Sequence, residues 1–150
     1  MPKDVLLEVE SSLESLPIIR RFIEEETAKV GLTERGVSEM RLAVDEACAN
    51  IIMHGYKEAM GKIVVRVDHD ENDVIVALSD SAPLYNPLEE TKAPDFGVSL
   101  DERAVGGMGV YLVKENTDSV EYETGKDRGN ILILRKTRKY SAESKQVGHE

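Results

Sequence analysis

Two pairs of β-rich segments, each joined by a short polar turn, most constrain how this chain can fold. The first pair runs from Lys62 to His69 and from Val74 to Ser79, and the second from Ser119 to Thr124 and from Asn130 to Lys136. A short turn joins antiparallel neighbours, whereas a parallel pair needs a crossover of about a dozen residues or more. The sequence therefore predicts two antiparallel hairpins.

Helical patterns surround these hairpins. From Ser12 to Val30 apolar residues recur at helical spacing, Gly31 ends that helix, and Thr33 can cap the next one. The second helix reaches Gly55, and its buried face is formed by Val37, Met40, Val44, Ala47 and Ile51. With a first strand at residues 5–9 and a third helix ending near residue 116, the order is β-α-α-β-β-loop-α-β-β. This order predicts an α/β two-layer sandwich, in which three helices cover one face of a mixed, mostly antiparallel sheet.

Composition and length favour one folded domain. We expect this domain to occupy residues 1–137 and a polar tail to occupy residues 138–150. The net charge of −10 argues against direct binding to nucleic acid or an anionic membrane and favours a basic protein partner. Cys48 is the only cysteine, and no run approaches the ~20 apolar residues of a membrane span, so we expect a cytoplasmic protein.

Three groups of polar residues and glycines suggest nucleotide chemistry. Glu46 and Asn50 are four residues apart, so both project from one flank of the second helix. Asp80 ends a strand, and the cluster at residues 106–109 leads into a helix whose free backbone N–H groups suit a phosphate. Each group alone also has an ordinary explanation: a solvent-exposed helix face, a turn residue at the end of a strand, or a flexible glycine hinge.

The order of these groups resembles that of a known superfamily. Residues 44–56 (VDEACANIIMHGY) resemble the N box of the ATPases that include gyrase, histidine kinases and mismatch-repair proteins. Residues 79–88 (SDSAPLYNPL) and 106–113 (GGMGVYLV) resemble the two glycine boxes in the form seen in anti-sigma factor kinases. The resemblance spans about residues 5–136 and implies a Bergerat-type ATP-binding fold.

The resemblance implies roles for individual residues. Asn50 resembles the amide that binds the Mg²⁺ ion bridging the triphosphate of ATP. Glu46 resembles the general base that deprotonates an acceptor serine, and Asp80 the carboxylate that accepts a hydrogen bond from the adenine amino group. Ala82 stands where the first glycine box commonly has glycine, beneath the base.

The second glycine box and the loop before it are expected to hold the phosphates. The resemblance implies that the backbone wraps them at Gly106, Gly107, Met108, Gly109 and Val110. An irregular stretch runs from about Ser81 to Val105, and its part from about Leu88 to Val105 is expected to act as a lid whose Arg103 reaches the γ-phosphate when the lid closes.

Within the superfamily the chain resembles the stand-alone anti-sigma factor that is also a serine-protein kinase. That family holds a sigma factor as a dimer and phosphorylates a serine of a small anti-anti-sigma (STAS-type) antagonist. Arg20 aligns with a first-helix arginine placed to contact the antagonist. Two alternatives remain open: an ATP-gated binding module with little kinase turnover, and a partner-switching kinase whose target is not a sigma factor.

Overall fold

A five-stranded sheet forms one layer of the molecule. The computed structural model describes residues 4–56, 60–90, 107–125 and 129–138. The strands are β1 (Val5–Glu10), β2 (Lys62–His69), β3 (Asp73–Asp80), β4 (Ser119–Gly125) and β5 (Gly129–Thr137). Their order is β1-β2-β3-β5-β4, and each neighbouring pair is antiparallel. Both predicted hairpins are confirmed. The sequence also predicted a mixed sheet with some parallel pairing, whereas all four pairings of the described strands are antiparallel.

The helices form the second layer. They are α1 (Leu16–Lys29), α2 (Glu34–Asn50), the four-residue α3 (Pro87–Glu90) and α4 (Gly107–Glu115). A 3₁₀ turn (Leu13–Ser15) leads into α1, and a π-helical turn (Ile51–Gly55) follows α2. α2 packs against both α1 and α4. The predicted two-layer α/β sandwich is therefore confirmed, and its three helices on one sheet face are the longer ones, α1, α2 and α4.

The core lies between these layers, and its most deeply buried side chains come from both. The helices contribute Ile19, Ile23, Met40, Val44 and Val113, and the sheet contributes Val65, Val76, Leu78 and Leu134. Alternate strand residues and every third or fourth helix residue therefore face each other, as the hydrophobic periods require. Cys48 is fully buried among them, and its burial raises the pKa of the thiol, consistent with a core residue rather than a reactive one.

Local signals set the helix boundaries. Thr33 caps α2 as the sequence predicts, because its Oγ1 accepts a hydrogen bond from the Gly36 N–H at 3.0 Å. Pro17 lies in the first turn of α1, where its missing N–H costs no helical bond. The sequence predicted one helix as far as Gly55, whereas the backbone widens after Asn50 and Tyr56 N–H donates to the Ile51 carbonyl five residues earlier.

Arg138, the residue after β5, is held against the body of the molecule by hydrogen bonds. Its backbone N–H donates to the Asn72 carbonyl, and its guanidinium donates to the carbonyls of Val30 and Asp70. The sequence places Arg138 at the start of the polar tail, and these bonds attach this first tail residue to the folded body. In the described part of the chain, every helix is too short or too polar to cross a lipid bilayer.

Candidate functional site

The C-terminal half of α2 presents the carboxylate and the amide that the sequence singled out. Glu46 and Asn50 are half-buried and line the same pocket, one helical turn apart. Burial raises the pKa of Glu46, and the nearby charge of Asp45 raises it further. A carboxylate with a raised pKa accepts a proton more readily near neutral pH, which is the property a general base needs.

The last residue of β3 forms another wall of the pocket. Asp80 is only 6% exposed, and its Oδ1 accepts hydrogen bonds from the Ala82 N–H at 3.0 Å and from Asn130 Nδ2 at 2.9 Å. Burial raises the pKa of Asp80, and these two hydrogen bonds oppose that rise. No donor of the described residues reaches Oδ2, so this oxygen remains available to a ligand.

The amide of Asn130 on β5 is a site residue that the sequence interpretation missed. Its Nδ2 also donates to the carbonyls of Ala82 at 3.2 Å and Pro83 at 3.3 Å, while its Oδ1 accepts from the Tyr85 N–H at 3.0 Å and from the Tyr122 hydroxyl. Asparagine is depleted in strands, so an amide at the start of the apolar strand β5 was the available signal.

Gly129 lets the backbone of β5 approach Asp80 closely. Its φ is +79°, and a Cβ atom there would lie 2.5 Å from the Asp80 carbonyl oxygen. Any side chain would therefore clash with backbone as well as strain the turn. The glycine allows Asn130, the next residue, to reach the Asp80 carboxylate.

Tyr56 fixes the position of the backbone that follows Asp80. The Tyr56 hydroxyl donates to the Lys62 carbonyl and accepts from the Ser81 N–H, both at 2.7 Å. A Cβ atom at Gly61 would lie 2.2 Å from the Tyr56 ring, so glycine is needed there to admit the ring. The end of the π-helical turn, the start of β2 and the exit from β3 are thus joined through one side chain.

The N-terminal part of α4 closes the pocket on the side of α2. Gly109 and Val110 line it, and a Cβ atom at Gly109 would lie 3.5 Å from Glu46 Oε1. The structure therefore brings five of the predicted site residues to one pocket: Glu46, Asn50, Asp80, Gly109 and Val110. Apolar side chains including Ile51, Leu88, Val113 and Leu132 line the space between them.

The other predicted site residues have different positions. Ala82 is buried beside Asp80 rather than on the pocket lining. Gly107 and Met108 are the first two residues of α4. Arg103 and Gly106 lie outside the described residues.

Arg20, the predicted partner contact, lies on α1. Its guanidinium holds both carboxylate oxygens of Asp45, at 2.8 and 3.3 Å, and remains partly exposed. It is therefore separate from the pocket lining but joined by this ion pair to the residue before Glu46.

The donor set suits a metal ion held mainly by a ligand's own oxygens. No cluster of three or more His, Cys, Asp or Glu side chains occurs within the described ranges. The Asn50 amide has no hydrogen bond within the same ranges, so its carbonyl oxygen is free to coordinate a cation. Mg²⁺ commonly binds through one or two protein oxygens together with substrate phosphates and water, and the site fits that pattern.

Comparison with known proteins identifies the fold family. Residues 9–136 match the family model of the histidine kinase-like ATPase domain. The chain belongs to this family. It is also similar to the proteins named serine-protein kinase RsbW from Bacillus thuringiensis (strain Al Hakam), Bacillus cereus (strain 03BB102) and Bacillus anthracis. Each is 25% identical to it over 133 residues, which cover 87% of this chain and 82% of the relative.

Proposed function

We propose that this protein is an Mg-ATP-dependent serine-protein kinase and anti-sigma factor. In this proposal it sequesters a sigma factor in the cytoplasm and phosphorylates a serine of a small STAS-type antagonist. The observation that carries the enzymatic part is the single pocket shared by Glu46, Asn50 and Asp80. The family match and the serine-protein kinase names of the relatives support the same reaction class.

Each polar group of the pocket has a proposed task. Asp80 accepts a hydrogen bond from the adenine amino group through Oδ2, and the backbone at the start of α4 donates to phosphate oxygens. The Asn50 carbonyl oxygen would hold Mg²⁺, which when bound neutralises charge on the triphosphate. The apolar walls exclude water and strengthen these electrostatic contacts.

Glu46 has the chemical role in this proposal. Its carboxylate takes the proton of the acceptor serine hydroxyl while the serine oxygen forms a bond to the terminal phosphorus. The bond from that phosphorus to the bridging oxygen breaks, and ADP leaves with the electron pair. A pure nucleotide-binding module has no use for this base, so the presence of Glu46 beside Asn50 favours the kinase over that alternative.

The partners are proposed from charge and resemblance. A net charge of −10 suits the basic, DNA-facing regions of a sigma factor. Arg20 on α1 is the proposed contact for the antagonist, on a surface that the ion pair with Asp45 holds in place. We also propose a homodimer and a domain that spans residues 1–137.

The decisive experiment is phosphotransfer from labelled ATP. The full chain is incubated with Mg²⁺ and, in turn, with each small antagonist-like protein of its host, and phosphoserine is identified by mass spectrometry. We expect one such protein to be labelled. Labelling of none, with tight ATP binding retained, would favour the ATP-gated binding module. Labelling of an antagonist whose partner is not a sigma factor would favour a partner-switching kinase with a different target.

A further inference from the structure

We infer that Asn130 is a positioning residue that sets adenine specificity by holding the Asp80 carboxylate in one orientation. The inference rests on the proposed contact between Asp80 and the adenine amino group. Nothing in the family match or in the names of the relatives assigns a role to Asn130.

The hydrogen bonds around Asn130 allow only one orientation of its amide. The Tyr122 hydroxyl and the Tyr85 N–H both donate to Oδ1. The atoms near Nδ2 are all acceptors: Asp80 Oδ1, the Ala82 carbonyl and the Pro83 carbonyl. A flipped amide would place its NH₂ group against the Tyr85 N–H, which cannot accept a hydrogen bond, and its oxygen against three acceptors. Because Asn130 is only 8% exposed, water cannot compensate for such a flip.

The oriented amide in turn fixes the Asp80 carboxylate. Asn130 Nδ2 and the Ala82 N–H both donate to Oδ1, so this oxygen is engaged from two sides. The other oxygen, Oδ2, is the one left to meet a ligand. Without the Asn130 donor the carboxylate keeps only the Ala82 bond and can rotate about its terminal torsion, which has a broad energy minimum. A mobile acceptor discriminates less well between the adenine amino group and the guanine carbonyl oxygen.

Asn130 also joins this carboxylate to the adjacent pocket wall. Through Pro83 and Tyr85 it holds both ends of a three-residue segment, and Tyr85 and Pro83 themselves line the pocket. One buried side chain therefore fixes the acceptor for the base and the segment beside it. Residues 80–85 and β5 act as one rigid unit on this side of the pocket.

The test compares the affinities of non-hydrolysable ATP and GTP analogues by calorimetry, with Mg²⁺ present. We expect Asn130→Ala to lower the ATP-to-GTP affinity ratio by about tenfold. Tyr122→Phe retains the amide but removes one of the donors that orient it, so we expect a smaller loss of the same ratio. Asn116→Ala is the matched control, because that half-buried amide donates to the Leu112 carbonyl away from the pocket. It should leave the ratio unchanged.

A double-mutant cycle separates positioning from a structural role. If Asn130 acts through Asp80, the ratio for Asp80→Ala with Asn130→Ala equals that for Asp80→Ala alone. Independent losses that multiply in the double variant would overturn the inference, as would a ratio that survives Asn130→Ala unchanged. A wild-type protein that binds both analogues equally would instead refute the proposed adenine contact, and the inference with it. Unfolding in urea checks that each variant is folded. If Asn130→Ala does not fold, the change in the ATP-to-GTP affinity ratio of Tyr122→Phe tests the inference.

Discussion

Gly109 lies directly against Glu46: a Cβ atom at position 109 would be 3.5 Å from Glu46 Oε1 and 3.9 Å from the Glu46 carbonyl oxygen. These two residues are 63 positions apart in the chain and belong to two different sequence motifs. Their contact is where α4 packs on α2, so the proposed base and the proposed phosphate-binding backbone share one boundary. A small change at Gly109 should therefore affect chemistry before it affects folding.

We predict that Gly109→Ala stabilises the fold and lowers kinase activity on the acid side of neutral pH. Within a helix alanine is more favourable than glycine by up to about 1 kcal/mol, and the new methyl group meets the carboxylate at an ordinary contact distance. The same methyl group shields Glu46 from water and raises its pKa further, so a larger fraction of the base is protonated and inactive on the acid side of neutrality. Urea unfolding and phosphotransfer rates measure the two effects. Ser38→Ala, on the exposed side of α2, is the control that should alter stability alone.

We predict that Glu46→Gln retains nucleotide binding and loses most phosphotransfer. The amide has the same shape but cannot take a proton, and loss of a general base typically costs ~10²–10⁴ in rate. Rates with saturating ATP and acceptor protein provide the measurement. Glu34→Gln removes an equal charge from an exposed position of the same helix and should behave as wild type.

A contrasting result is expected for the neighbouring amide. Asn50→Ala should weaken the Mg²⁺-dependent part of nucleotide affinity, whereas Glu46→Gln should not. Wild-type turnover by Glu46→Gln would remove the base from the mechanism and favour a binding module.

The acid side of the pH–rate profile should move when Asp45 loses its charge. Burial and, second, the charge of Asp45 raise the pKa of Glu46 above its ordinary value of 4.5. The base is active only when ionised, so the rate falls as pH drops through this raised pKa. In Asp45→Asn the repulsion disappears and the ionised form is favoured, so the acid limb shifts to lower pH. Because burial is the larger cause, the shift should be partial, and a shift to higher pH would contradict the assignment.

Adenine preference should depend on the ionisation of Asp80. At neutral pH we expect ATP to bind about 10- to 100-fold more tightly than GTP, the cost of one unmade buried hydrogen bond. Burial raises the pKa of Asp80 above 3.8, and the protonated carboxyl can donate to the guanine carbonyl oxygen. The preference should therefore fall as pH is lowered toward this pKa. Titration of the phosphates affects ATP and GTP equally, so it cancels in the ratio of their affinities. The side chain at position 80 does not titrate in Asp80→Asn, and this variant should give a ratio independent of pH.

The fold could be predicted because its sequence signals are local. The pocket could be predicted only in part, because some of its contacts join distant parts of the chain. Hairpin turns and helical periods act over a few residues, and the spacing of Glu46 and Asn50 places both on one helix flank. The role of Asn130 depends on β5, rather than β4, lying beside β3, in the register that pairs Asp80 with Asn130. No local sequence pattern indicates which strand of the second hairpin pairs with β3. The sequence therefore did not predict that Asn130, 50 positions from Asp80, lies beside it.

The π-helical turn shows a second limit of sequence patterns. Residues 51–55 continue the apolar spacing of α2, so the sequence predicted an unbroken helix. Tyr56, which follows the wider turn, is held through its hydroxyl by Lys62 and Ser81, and no helical pattern indicates these contacts. The backbone thus departs from the local periodicity beside these tertiary contacts, where the chain leaves the proposed metal-binding amide.

The departure from the family pattern at residue 82 has a structural counterpart at Gly55. Ala82 is 4% exposed, and a Cβ atom at Gly55 would lie 3.3 Å from the Ala82 Cβ, which is a tight contact. We predict that Ala82→Gly lowers the free energy of unfolding by about 1 kcal/mol, through loss of a buried methyl group and added backbone freedom. The ATP-to-GTP ratio should not change, because the backbone N–H of residue 82 still donates to Asp80.

The same contact predicts that substitutions at the two positions are coupled. Gly55→Ala alone crowds the Ala82 methyl group, whereas Gly55→Ala with Ala82→Gly moves one methyl group across the contact and relieves the crowding. We therefore expect the double variant to be more stable than the sum of the two single effects allows, by about 0.5 kcal/mol or more. Urea unfolding of the four proteins measures this coupling. Strictly additive effects would show that the space beside Gly55 relaxes freely, and the alanine at position 82 would then need no matching glycine.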